Sequence, residues 1–203
     1  MYLHGQVVVA LRQLVAWVLN LILFGLKDTM VLHTQGINVN FIPSKSGSND
    51  TTAYVASYTS DGFTLTGSAT DANENSEKYM AATFKCNGGT TSSNGDGATT
   101  ATVQANTTSG VSVVTYTGTG SATTLGHGLG AAPKIIITKS LTTSDYAGFA
   151  NGSTLYHTDP FTDYVQLAWN GTSLGDSDTF WNDTAPTTSV FSVKSATQTN
   201  KSG

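Results

Sequence analysis

Charged side chains are scarce in this sequence: Asp, Glu, Lys and Arg make up 11% of its 203 residues, against roughly 25% in an average soluble domain. Nine basic and thirteen acidic side chains leave a net charge of −4, so there is no positive excess to neutralise a phosphate backbone, and nucleic acid is not an expected partner. The single cysteine, Cys86, rules out an internal disulfide framework and every multi-cysteine zinc site. Apolar residues, at 38%, also fall short of the roughly 45–50% of ordinary domains. Threonine, serine, glycine and asparagine take their place.

The one long apolar run is Gln6–Leu26, QVVVALRQLVAWVLNLILFGL, which is apolar on nearly every helical face from Leu14 onward but carries Arg12, Gln13 and Asn20. A membrane span needs about 20 mainly apolar residues and pays roughly 2.5–3.5 kcal/mol for a central arginine. As a secretory signal the segment lacks a basic start and a small-residue cleavage site. Three readings stay open for residues 1–30: a membrane or signal-anchor helix, a helix packing against a neighbouring subunit, or sequence upstream of a reading frame that starts at Met30. Membrane is a partner only under the first.

From Thr51 onward short β-rich runs alternate with turn-forming clusters, the pattern of an all-β domain. The strands expected are Ala53–Tyr58, Gly62–Thr66, Tyr79–Cys86, Val111–Thr117, Ala122–Leu125, Lys134–Lys139, Tyr164–Trp169, Thr179–Trp181 and Val190–Lys194. Between them Ser60-Asp61-Gly62, Asn87-Gly88-Gly89, Asn94-Gly95-Asp96-Gly97, Asn151-Gly152 and Asn170-Gly171 suit tight turns. In Tyr79–Cys86 the period of two places Met80, Ala82, Phe84 and Cys86 on one face, which makes Cys86 a core residue. Lys134-Ile135-Ile136-Ile137-Thr138 is apolar without alternation, as in a strand buried on both faces.

A weak repeat links residues 60–73 with residues 188–200: Phe63-Thr64-Leu65 matches Phe191-Ser192-Val193, and Gly67-Ser68-Ala69-Thr70 matches Lys194-Ser195-Ala196-Thr197. The second copy ends where the strand Tyr79–Cys86 follows the first. An open final edge of that kind pairs readily with another chain, so an oligomer or a shortened product is expected. The organisation read from these features is an apolar helical segment over residues 1–30, a linker over 31–50, and a β-sandwich or jelly-roll-like domain with an incomplete repeat over 51–203.

No chemical motif outweighs its structural explanation. Gly126-His127-Gly128-Leu129-Gly130 has the glycines of a phosphate-cradling loop, but Ala131-Ala132-Pro133 and a strand follow where such a loop needs a helix N-terminus. It reads as a turn, with His127 either exposed or bonded to backbone. His127, His157 and Asp159 match no metal-ligand spacing. Asp176-Ser177-Asp178 and Asn94-Gly95-Asp96-Gly97 offer oxygen ligands in loops without the further carboxylates of a calcium loop. No cofactor is therefore expected, loop calcium being the one to check first. No Gly-x-Ser-x-Gly elbow occurs. Trp181, Tyr156 and Asn182 are the candidate ligand-binding residues, since an exposed aromatic face can stack on a sugar beside an amide that bonds its hydroxyls; the competing reading makes these aromatics core anchors.

Val114-Thr115-Tyr116-Thr117-Gly118-Thr119-Gly120, Gly126-His127-Gly128-Leu129-Gly130-Ala131-Ala132-Pro133-Lys134-Ile135-Ile136-Ile137-Thr138-Lys139 and Trp181-Asn182-Asp183-Thr184-Ala185-Pro186-Thr187-Thr188-Ser189-Val190-Phe191 resemble an uncharacterised domain family of phage virion proteins, tail-fibre-like and common in marine phages. The resemblance covers about residues 51–203. It implies a non-enzymatic structural component of a virion appendage, assembling with other virion subunits and with itself and contacting host surface glycans. It brings no catalytic residues. Units of that family run on past the stretch resembling Ser195–Gly203, so a shortened member is expected. The alternatives are a membrane-anchored adhesin or carbohydrate-binding module using Gln6–Leu26, and a polysaccharide depolymerase, which would need two acidic groups about 5–10 Å apart.

Overall fold

A computed structural model of the chain describes residues 6–11, 30–34, 37–41, 55–59, 62–65, 75–76, 91–140, 147–151, 163–168 and 171–202. In chain order the strands are β1 (Gln6–Leu11), β2 (Met30–Thr34), β3 (Ile37–Phe41), β4 (Val55–Tyr58), β5 (Phe63–Leu65), β6 (Ser92–Asn94), β7 (Ala101–Asn106), β8 (Val111–Tyr116), β9 (Thr123–Gly126), β10 (Ile135–Ser140), β11 (Ala147–Asn151), β12 (Asp163–Ala168), β13 (Gly171–Asp176) and β14 (Val190–Val193). Among the described residues two four-residue helices join them, α1 (Asp178–Trp181) and α2 (Thr197–Asn200). The fold is all-β, as the alternation of short strands and turns predicts.

Eight strands form one sheet in the order β13-β12-β11-β10-β1-β8-β7-β6, with every neighbouring pair antiparallel. Two meanders make up its halves, β6-β7-β8 and β10-β11-β12-β13, and β1 joins them. A separate pair, β9 with β14, packs over one face, while β2-β3 and β4-β5 are hairpins of their own. Thr59 N–H donates to Gly62 O at 2.9 Å between the ends of β4 and β5; Ser60 and Asp61 of the expected turn lie outside the described residues.

The core lies between the large sheet and the β9-β14 pair. Ala101 and Val103 of β7, Val114 and Tyr116 of β8 and Ile136 of β10 meet Leu125 of β9, Phe191 and Val193 of β14, and Phe180 and Trp181 of α1. Phe191 and Trp181 are each 1% exposed. An aromatic side chain buries about 150–250 Å², which at about 25 cal/mol per Å² stabilises by roughly 4–6 kcal/mol before entropy is counted. All six residues of β10 are buried, so neither face of this strand meets water, in keeping with the apolar run Ile135-Ile136-Ile137 in its first half.

Two expectations need correction. Gln6–Leu11, expected to open an apolar helix over Gln6–Leu26, is strand β1; residues 12–26 lie outside the described residues. A short apolar run has no periodicity that separates helix from strand, and here three consecutive valines and two receptive strand edges favour the extended form. Thr179–Trp181, expected as a strand, lies in α1. The local reason is capping: Ser177 is extended at φ −167°, its Oγ accepts from Thr179 N–H, and Asn182 ends the turn in the left-handed region at φ 55°. Tyr79–Cys86, and with it the core position of Cys86, lies outside the described residues.

The chain after β14 is zipped onto α1 and β8. Lys194 N–H donates to Phe180 O at 3.2 Å, and Ser195 and Ala196 N–H both donate to Thr179 O at 2.9 Å. Tyr116 Oη donates to Thr199 O. Asn200 accepts from Thr119 N–H at 2.8 Å through Oδ1 and donates to Ser121 O at 2.7 Å through Nδ2.

Candidate functional site

Three loops converge at one end of the β9-β14 pair: the β6-β7 turn around Asn94–Asp96, the segment after β9 around His127, and the α1-β14 loop over Asn182–Ser189. Asn94 folds its turn back on itself, with Asp96 N–H donating to Asn94 Oδ1 at 2.9 Å and Asn94 Nδ2 donating to Asp96 Oδ2 at 3.1 Å. The Asn94 side chain fills the space over Gly126, where a Cβ would strike it. Thr99 N–H then donates to Thr124 O at 3.1 Å, so the turn is sewn to β9.

His127 is fully buried at the centre. Its backbone N–H donates to Ser189 O at 3.1 Å, and Ser112 Oγ donates to its carbonyl. The ring settles its own tautomer. Leu129 N–H donates to Nδ1 at 3.2 Å, so Nδ1 carries the lone pair, and Nε2 carries the proton that reaches Thr187 O at 3.2 Å. Burial lowers the imidazole pKa from 6.5, opposed by the Thr187 carbonyl and the negative charge of Asp96. A neutral ring with both nitrogens committed to backbone has no free lone pair for a metal or for proton abstraction. His127 is a clamp between the β9 and α1-β14 loops, which matches the backbone-bonded alternative for this residue.

Around this clamp the surface is polar and carries little charge. Asp183, Thr184, Ala185, Thr187, Thr188 and Ser189 are exposed, as is Asp96 on the neighbouring turn. Thr187 organises its own loop: its N–H donates to Val190 O at 2.8 Å and its Oγ1 accepts from Val190 N–H at 3.0 Å. Asn182 and Asp183 both have positive φ, 55° and 43°. The outcome is a rigidly tied hydroxyl-rich loop.

Of the three candidate ligand-binding residues, Trp181 is buried in the core and presents no ring face to solvent, as its competing reading has it. Asn182 is half-buried as the cap of α1, and its carbonyl accepts from Thr184 Oγ1. Tyr156 lies outside the described residues, as do His157 and Asp159. Most polar groups of the two loops weighed for calcium have protein partners: Asn94 and Asp96 bond each other, Ser177 caps α1, and Asp178 pairs with Lys194. Among the described residues no three His, Cys, Asp or Glu side chains come together as a metal group. No helix among them is long and apolar enough to cross a membrane. Asp163 and Asp176 face each other as register partners across β12 and β13. The contact of His127 with Thr187, 60 residues further on, had no signal in the sequence, because only the fold brings the two together.

The family model described as Domain of unknown function (DUF7483) matches residues 25–203. The chain belongs to this family. The DUF7483 match begins upstream of the 51–203 stretch that carries the resemblance and takes in β2 and β3. All three loops of the cluster lie within DUF7483, whereas β1 lies outside it. No curated protein and no solved structure matches the chain.

Proposed function

We propose that this chain is a non-enzymatic structural component of a phage virion, a tail fibre or related appendage, which assembles with other virion subunits and with copies of itself. The observation that carries this reading is how the most distinctive motif is used. In Gly126–Lys139, one of the stretches that resemble virion proteins, His127 clamps two loops and Ile135, Ile136 and Ile137 are buried in β10. The one imidazole of this stretch is spent on holding loops together. The exposed hydroxyls of Thr184, Thr187, Thr188 and Ser189 suit contact with host surface glycans, because they can exchange hydrogen bonds with sugar hydroxyls without desolvating a charge.

Peptide mass spectrometry and immunogold labelling of purified particles of a phage that carries the sequence test the proposal. Copies of the chain in the particle, with label on an appendage, are expected. A chain absent from particles and recovered only from infected cells would overturn it.

The anchored-adhesin alternative loses support from β1, since residues 12–26 alone fall short of the roughly 20 apolar residues a span needs. The depolymerase alternative has one observation in its favour, the register pairing of Asp163 with Asp176 across β12 and β13. Reducing-end release from host polysaccharide, lost in Asp163→Asn and Asp176→Asn, would favour it over a structural role; no release by the intact chain is expected.

A further inference from the structure

β8 and β10 are each antiparallel to β1, so they run parallel to one another with one strand's width between them. Two strand spacings put them about 9.5 Å apart. With β1 in place both flanking strands are covered: Val113 and Val114 are fully buried, and Ile136 and Ile137 are 1% exposed. An unfilled gap would leave two facing rows of backbone N–H and C=O groups without their ladder partners, open edges that recruit another strand. β1 satisfies both rows over all six of its residues, from Gln6 opposite Tyr116 and Ser140 to Leu11 opposite Val111 and Ile135.

The strand that fills this gap lies outside residues 25–203, the part of the chain that matches DUF7483. The family unit thus contributes the two walls and a segment beyond it contributes the occupant. That occupant, Gln-Val-Val-Val-Ala-Leu, has no charge, glycine or proline, a composition that seeks open strand edges. Residues 12–29 separate it from β2, and a chain of that length extends at most about 60 Å. That reach is several times the two-strand width of the gap.

We infer that the gap between β8 and β10 is a strand-acceptor site, and that Gln6–Leu11 of a second copy of this chain takes it in the same register. Reciprocal exchange keeps every ladder hydrogen bond and every facing pair, so the exchanged dimer differs from the monomer mainly in the cost of the connecting segment. The inference goes beyond the virion reading and does not depend on it: assembly through another surface would leave that reading intact if exchange failed.

Two full-length variants, both carrying Cys86→Ser, provide the test. One carries Val9→Cys and the other Val113→Cys, positions that face each other across β1 and β8. Facing Cα atoms in an antiparallel ladder lie about 4.5–5.5 Å apart, within the roughly 4.4–6.8 Å that a disulfide bridges. The two are mixed, unfolded and refolded together at high concentration, then oxidised and run without reductant. A covalent mixed dimer at twice the 21.1 kDa chain mass is expected, and far less of it from Val9→Cys mixed with Ser93→Cys on the exposed β6. Val9→Cys with Ile137→Cys, facing across β10, guards against one variant failing to fold and should behave in the same way. If only a single chain carrying both cysteines forms the disulfide, β1 serves its own chain and exchange is refuted. If that chain fails as well, β1 does not occupy the gap and the inference falls entirely.

Discussion

Gly126→Ala probes how tightly the three-loop cluster is closed. A Cβ on Gly126 would overlap Oδ1 and Cγ of Asn94, well inside the 3.0 Å that real Cβ atoms keep, so the Asn94 side chain must leave. Leaving breaks its two hydrogen bonds to Asp96, each with a net worth of about 0.5–1.5 kcal/mol. Adding a methyl group to a packed site costs about 1–3 kcal/mol. Gly126→Ala is therefore expected to lose about 2–3 kcal/mol, which in a chain of this size lowers the melting temperature by roughly 4–12 °C. Asn94→Ala alone should lose about 1–2 kcal/mol, the bonds without the clash. With Asn94 shortened, the new methyl group has room, so the double variant should be about as stable as Asn94→Ala alone, and the two losses should fail to add by about 2 kcal/mol. Gly97→Ala is the control: its Cβ would strike Thr124 O and come within 2.7 Å of Leu125 Cα, backbone that no side-chain truncation moves. Its loss should add to that of Asn94→Ala. Urea unfolding of the single and double variants measures all of these. Additive losses for Gly126→Ala and Asn94→Ala would refute the packing of this turn on β9.

Trp181→Ala should cost about 3–5 kcal/mol through the cavity it leaves in the core, and binding to any glycan by the refolded protein should not change; loss of binding with little loss of stability would restore Trp181 as a contact residue. Tyr116→Phe removes the buried hydrogen bond to Thr199 O and should cost about 0.5–1.5 kcal/mol, the net worth of such a bond; burial pushes the phenol pKa far up, so this loss should be the same from acid to mildly alkaline pH. His127 is held neutral by burial, with its pKa below the ordinary 6.5. As pH falls through 6.5 the unfolded chain takes up a proton that the folded chain refuses, so stability declines on the acid side. His127→Gln should flatten that decline in urea titrations from pH 7.5 to 5, since the other histidines are common to both proteins.

Much of the fold was legible where residue pattern and burial agree. Ile135-Ile136-Ile137 announced a strand buried on both faces because no polar residue interrupts it, and Val111–Thr117 differed from β8 by a single residue at its C-terminal end. β7 was missed because Ala-Thr-Val-Gln-Ala-Asn has one β-branched apolar residue and a buried glutamine, so its strand character comes from pairing with β8 and not from its own hydrophobicity. β13 was hidden by Gly171 and Gly175, which read as turn residues when taken alone. In the site, the polar loops were visible as turns, but the joining of Asn94, His127 and Thr187 depends on contacts across long separations. The Ser177 cap was the one local signal that could have turned Thr179–Trp181 from strand to helix.

Hydrogen–deuterium exchange on the intact chain addresses the joining strand most directly. With Gln6–Leu11 paired on both edges between β8 and β10, its amides should exchange as slowly as those of Val111–Tyr116 and Ile135–Ser140. Rapid exchange over Gln6–Leu11 beside protected β8 and β10 would mean that another segment holds the two meanders together, and both the sheet order and the exchange of β1 between copies would be wrong.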